Sequence, residues 1–119
     1  MNDSDSLILS VNKLKFYIDH NLTQDLSLKS LSNTFHYNEQ YMSRRFKETM
    51  HISLQQYILF SRVDLAKKYL LKGFSPAKAC EASGFRDYAN FSKLFKKYTG
   101  VTPKEYQLQM LWQKRKPLV

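Results

Sequence analysis

The chain has 119 residues, 43% of them hydrophobic, three Gly, three Pro, one Cys and a formal net charge of +9. That length holds one domain with one modest core or two small ones, and its longest apolar run falls far short of the roughly 20 residues that cross a bilayer. The MNDSDS start lacks the basic flank of a signal peptide, and the lone Cys80 excludes an internal disulfide and fits a reducing compartment, so a soluble, cytoplasmic protein is expected.

With few Gly and Pro and no strand-like alternation, an all-α fold is the default reading. Leu7, Val11, Leu14 and Ile18 recur at steps of four and three, which predicts a first helix from near Leu7 to His20 that stops at Asn21. Ser27 caps a second helix carrying Leu28, Leu31 and Phe35, and a third opens at Asn38. The third turns Met42 and Phe46 inward and leaves Gln40, Ser43, Arg44 and Lys47 exposed.

Residues 53–72 contain no Gly or Pro and carry Tyr57, Ile58, Val63, Ala66, Leu70 and Leu71 as one broad apolar stripe. Ser53 with Gln56 makes a capping box and Gly73 is the exit. A helix of that extent is about 30 Å long.

Ser75-Pro76 is a helix entry, because Pro at the first helical position has no N–H to leave unpaired. Gly84 closes that short helix through a left-handed backbone position, and Asp87 caps the next. There Phe91 and Phe95 share one face, with Asn90, Ser92, Lys93, Lys96 and Lys97 on others. Gly100 ends the helix. Thr102-Pro103-Lys104-Glu105 is a second capping box, opening a terminal helix to about Lys114 that bears Leu108, Leu111 and Trp112. The apolar face of that helix either caps the preceding helices or meets a partner, and the cluster from Lys114 to Lys116 is a phosphate contact or solubilising charge.

These elements repeat. Met42, Ser43, Arg44, Phe46, Lys47, Ile52, Ser53 and Tyr57 recur 49 residues later as Phe91, Ser92, Lys93, Phe95, Lys96, Val101, Thr102 and Tyr106. Upstream the offset is 48, pairing Leu31 with Ala79, Ser32 with Cys80, His36 with Gly84 and Tyr37 with Phe85, so the second turn is one residue longer. Two short helices joined by a tight turn, the second one basic, make a helix-turn-helix candidate, and the repeat makes two. Charge agrees. Up to Asp25 two lysines face four aspartates, −2, so the rest of the chain carries +11, the footprint of a polyanion binder.

The run Gly84-Phe85, Asp87, Phe91-Ser92, Phe95-Lys96-Lys97-Tyr98, Gly100-Val101-Thr102-Pro103 and Tyr106 resembles the signature of the AraC/XylS family of bacterial transcription regulators. The resemblance covers residues 7 to 106. It implies an all-α domain of about seven helices over 1–119, with helix-turn-helix units at 7–52 and 73–106, a linking helix at 53–72 and an extension at 107–119. The two recognition helices, Asn38 to Thr49 and Asp87 to Thr99, would enter adjacent major-groove segments of double-stranded DNA, whose turn repeats at about 34 Å.

The positions matching base contacts in that family are Gln40, Ser43 and Arg44 in the first unit and Ala89, Asn90, Ser92 and Lys93 in the second. Gln pairs bidentately with adenine and Arg with guanine, while Ala89 offers only an apolar contact to a thymine methyl, so the first unit is expected to carry more of the base discrimination. Lys29, Arg45, Lys47, Lys96 and Lys97, with backbone amides at helix starts, are expected to hold phosphates. Tyr41 and Tyr88 either stack on sugars or cover the surface. Cys80 stands where the family has a small Ala and reads as a buried hydrophobe. His36 and His51 replace glycines, so those turns are either strained or of another type. Gln107 stands where Arg is usual.

An activator of this kind would also meet RNA polymerase. The domain is expected to be monomeric unless it is part of a larger dimeric regulator. Residues 7 to 106 leave no room for an effector-binding or dimerisation domain, and with the acidic MNDSDS start read as a true terminus or a linker remnant, a fragment of a larger regulator is favoured over a complete small one. No cofactor or metal is expected, since His20, His36 and His51 lack ligand spacing with one another or with Cys80. No paired carboxylates, nucleophile with base or phosphate loop suggests an enzyme. The competing reading is a non-specific nucleic-acid or ribosome-associated helical protein, which would bind with a steep salt slope and little sequence preference.

Overall fold

The structure, a computed structural model, describes residues 9–115, and among them it is all-α. In chain order the helices are α1 Val11–Asp19, α2 Leu28–Phe35, α3 Glu39–Met50, α4 Leu54–Leu71, α5 Pro76–Ala82, α6 Tyr88–Thr99 and α7 Pro103–Arg115. None is long and apolar enough to cross a membrane. Each begins where a side chain satisfies amides that the helix itself leaves unpaired. Ser10, Ser27 and Ser75 accept from Lys13, Ser30 and Lys78 at 3.2 to 3.3 Å. Asn38 and Asp87 each accept from two amides of α3 and α6.

The remaining two starts are reciprocal capping boxes. Gln56 N–H donates to Ser53 Oγ at 3.0 Å while Ser53 N–H donates to Gln56 Oε1 at 3.1 Å. Thr102 and Glu105 exchange the same two bonds at α7, at 2.9 and 3.1 Å.

One boundary differs from expectation. α1 starts at Val11 rather than near Leu7, because Ser10 is its cap; Leu7 lies outside the described residues. Leu9, just ahead of that cap, is buried in the same core as Leu14, the pairing of a hydrophobic staple. Apolar spacing therefore continues past the helix end.

The structure separates into two compact units, Met1–Leu59 and Phe60–Val119, divided inside α4. In the first, Val11, Leu14 and Ile18 of α1, Leu31 of α2 and Met42 and Phe46 of α3 form a core with Leu9, Leu26, Leu54 and Ile58. The second buries Val63, Ala66 and Leu70 of α4 with Ala79, Cys80, Phe85, Phe91 and Phe95. The apolar positions of α4 are thus not one stripe. A step of five from Ile58 to Val63 breaks the three-four rhythm, and the helix supplies a different set of residues to each core.

The repeat extends to ring geometry. Phe46 meets Tyr57 edge-on at 5.3 Å, and Phe95 meets Tyr106 edge-on at 5.5 Å. A lysine stands over each tyrosine, Lys15 at 5.9 Å and Lys67 at 5.8 Å. In α7, Gln107 Nε2 donates to the carbonyls of Leu70 and Phe74 at 2.9 and 2.7 Å, ordering the exit of α4. Leu108 and Trp112 are 58% and 68% exposed, while Leu111 is half-buried. Most of the Lys114 to Lys116 cluster falls outside the described side chains.

Candidate nucleic-acid interface

Both helix-turn-helix turns depend on a left-handed residue just after the first helix. His36 at φ 62° holds it in one unit and Gly84 at φ 97° in the other. From there to the cap of the next helix the first unit uses Tyr37 and Asn38, the second Phe85, Arg86 and Asp87, so the extra residue expected in the second turn is present. The recognition helices also end alike, on His51 at φ 64° and Gly100 at φ 87°. The two histidines therefore keep the glycine turn and accept its strain, rather than forming another turn.

With the backbone so placed, Met42 and Phe46 of α3 and Phe91 and Phe95 of α6 are fully buried, which fixes the face each helix turns outward. On α3 that outward face carries Gln40 and Arg44, with Ser43 half-buried between them. On α6 it carries Ala89, Asn90 and Lys93, with Ser92 half-buried in the place of Ser43. A groove of about 530 Å³ runs over the first set, lined by Leu28, Glu39, Gln40, Ser43, Arg44, Lys47 and Glu48. All three first-unit residues expected at base edges line it.

Arg44 is held in two ways. Its guanidinium lies 5.7 Å from the Tyr41 ring centroid, and its Nε is 3.9 Å from Glu48 Oε1. Glu48 Oε2 is also 3.9 Å from Arg45 Nη1. Tyr41 belongs to the scaffold: it packs against the core, and its hydroxyl accepts from Leu9 N–H at 3.4 Å. Tyr88, in contrast, is 44% exposed.

The cations expected at phosphates fall into two groups. Lys29, Lys47, Lys96 and Lys97 are exposed. Arg45 is half-buried where the second unit has Leu94, and its Nε is buried with no hydrogen-bond partner. Lys96 and Lys97 lie in the last turn of α6, where the helix dipole favours them. At the helix starts, the cap oxygens of Asn38 and Asp87 already accept from the amides of Gln40, Tyr41, Ala89 and Asn90. Those four amides already have a partner, which leaves the remaining first-turn amides and the side chains for a phosphate.

Sequence reasoning missed Glu39 and Glu48 as members of the groove. Glu48 was legible, since it follows Arg44 by four and Arg45 by three, the spacings that bring side chains together on a helix. Cys80 is buried, and burial, then the charges of Asp87 and Glu81, push its thiol above the usual range. Among the described residues no group of three or more His, Cys, Asp or Glu is arranged to hold a metal ion.

A family model described as a helix-turn-helix domain matches residues 31–109. The chain is 38% identical over 100 residues to the bifunctional transcriptional activator/DNA repair enzyme AdaA of Bacillus subtilis, a match covering 82% of this chain and 46% of that protein. It thus spans less than half the length of that relative. The structure resembles the C-terminal domain of AraT, a response regulator from Geobacillus stearothermophilus, with a TM-score of 0.80, 29% identity and coverage of 83% of this chain and 84% of that one. It also resembles the DNA-binding domain of the global transcriptional factor AdpA in complex with a target DNA, with a TM-score of 0.83 over 90% of this chain and 97% of that one. At 17% identity this second likeness shows the fold alone.

Proposed function

The chain belongs to the AraC/XylS family of helix-turn-helix transcription regulators, whose function is sequence-specific DNA binding, and from that premise we propose that α3 and α6 are its two recognition helices. They enter adjacent major-groove segments of one duplex, with the linking helix α4 between them. Gln40, Ser43 and Arg44 of α3 touch base edges in one block, and Ala89, Asn90, Ser92 and Lys93 of α6 in the other. Lys29, Arg45, Lys47, Lys96 and Lys97 hold phosphates and set register. The domain works in the cytoplasm, binds as a monomer unless it belongs to a larger dimeric regulator, and meets RNA polymerase where it acts as an activator.

One observation carries this reading. The positions of Gln40, Ser43 and Arg44 recur 49 residues later as Ala89, Ser92 and Lys93, and in both units they lie opposite a fully buried aromatic of the same helix. Repetition of a serine followed by a cation on an outward face, over matching cores and caps, supports two reading heads rather than a diffusely basic surface. The stronger hydrogen-bonding groups lie in the first unit, which supports its larger share in discrimination.

Selection of bound duplexes from a random pool tests this at about 150 mM salt. An asymmetric site with two short preferred blocks about one turn apart, bound at least ~10³-fold more tightly than scrambled DNA, is the expected result. Enrichment of no sequence, with affinity falling uniformly as salt rises, would leave charge alone as the binding force.

A further inference from the structure

We propose that Glu48 is a specificity-determining residue: its carboxylate holds Arg44 and Arg45 back from phosphates, so that α3 engages DNA strongly only where base contacts replace it. This rests on the reading of α3 as a recognition helix.

Three observations lead to it. First, the two recognition helices differ in charge where they otherwise repeat. α6 carries Lys93, Lys96 and Lys97 and no acidic residue, whereas α3 carries Arg44, Arg45 and Lys47 with Glu39 and Glu48. The position of Glu48 is Lys97 in the second unit.

Second, the dipole of α3 gives no reason for an acid there. Glu39 lies in the first turn, where the helix dipole favours a carboxylate, but Glu48 lies in the last turn, where the dipole disfavours it. Third, the one carboxylate serves both guanidinium groups, at 3.9 Å each, and lines the groove with Gln40, Ser43 and Arg44.

The consequence follows from like charges. Arg44 and Glu48 side chains are 65% and 56% exposed, so the pair is solvent-screened and exchanges readily. A phosphate approaching Arg44 or Arg45 must displace a carboxylate of its own sign and then sit beside it. On an arbitrary sequence nothing offsets that repulsion. On the correct site Arg44 turns from the phosphates to a bidentate bond with guanine, so the carboxylate faces less phosphate charge there and Glu48 weakens wrong complexes more than the right one. The second unit, without such an acid, supplies more of the phosphate grip beside its own base contacts.

The test compares the protein with Glu48→Gln, Glu48→Asp and Asp64→Asn on the selected site and on scrambled duplex, across a salt series. Asp64 is exposed on α4, where it pairs with Lys67 and Lys68, so Asp64→Asn makes the same change in net charge away from the groove. Glu48→Gln is expected to tighten scrambled DNA about 5- to 10-fold and the selected site less than about 2-fold, because the released repulsion is local. The salt slope on scrambled DNA should steepen by up to about one unit, as one more phosphate is neutralised. Glu48→Asp should restore most of the discrimination and Asp64→Asn should leave it intact.

Equal tightening on both duplexes, or the same effect from Asp64→Asn, would overturn the proposal. So would a changed preference at one base pair with scrambled-DNA affinity unmoved, which would make Glu48 a reader of cytosine. If the unaltered protein itself shows no preference between the two duplexes, the assignment of α3 as a recognition helix fails, a result distinct from these.

Discussion

The thiol of Cys80 donates to the carbonyl of Phe85 at 3.9 Å, five residues on, and in the other unit the hydroxyl of Ser32 donates to the carbonyl of Tyr37. Cys80 and Ser32 occupy equivalent places in the repeat, as do Phe85 and Tyr37. Each contact ties the last turn of a first helix to the chain just beyond its left-handed residue, and so aims the recognition helix that follows. Two sulfur-for-oxygen versions of one contact mark it as part of the turn.

Replacement Cys80→Ser should therefore preserve the turn, at a cost of no more than about 1–2 kcal/mol for the smaller, more polar group. Because Cys80 is 4% exposed and its thiol pKa is raised, a thiol reagent should label the native protein far more slowly than the unfolded one at mildly alkaline pH. Fast labelling of the native state would show that this turn opens.

The left-handed caps make a paired prediction. His51 and Gly100 end α3 and α6 at φ 64° and 87°, and no atom beyond the adjoining residues lies within 4 Å of where a Gly100 Cβ would stand. Backbone strain then dominates both substitutions. His51→Gly should stabilise by up to about 1 kcal/mol and Gly100→Ala should destabilise by about as much, read from denaturant midpoints. Loss of stability in His51→Gly would mean that the imidazole makes a compensating contact.

Much of this was legible in the sequence because caps and left-handed turns are local. Ser27, Asn38, Asp87, the two capping boxes and the 49-residue repeat follow from residue type and spacing alone. The start of α1 was not, since Leu9 is apolar and buried while lying outside the helix. Nor was the division of α4 between two cores, because a stripe read at three-four spacing does not reveal which core each residue enters. The groove's acids escaped a search for cations, although the Arg44 to Glu48 spacing announced the pair. The exposure of Leu108 and Trp112 depends on tertiary packing that no local pattern encodes.

The capping box at α7 carries a pH dependence. The backbone N–H of Thr102, donating to the Glu105 carboxylate, holds its pKa below the usual value. A folded-state pKa lowered in this way contributes stability that is present above the unfolded pKa and is lost as pH falls through the folded one. Amide exchange at Thr102 and Glu105 should therefore speed up, relative to intrinsic rates, as pH drops from about 6 to 3. Glu105→Gln should keep the helix start, as Gln56 does at α4, and remove that dependence. An acid response unchanged in Glu105→Gln would assign it to another group.

The central claim is that each recognition helix reads its own block of one DNA site. It is tested most directly by measuring Arg44→Ala and Lys93→Ala against a set of duplexes in which each base pair of the selected site is changed in turn. The account predicts that Arg44→Ala loses about 1–3 kcal/mol and becomes indifferent to one position in one block, while Lys93→Ala does so, more weakly, in the other block. Uniform losses across every duplex, with no position released by either substitution, would contradict it and reduce both residues to phosphate anchors.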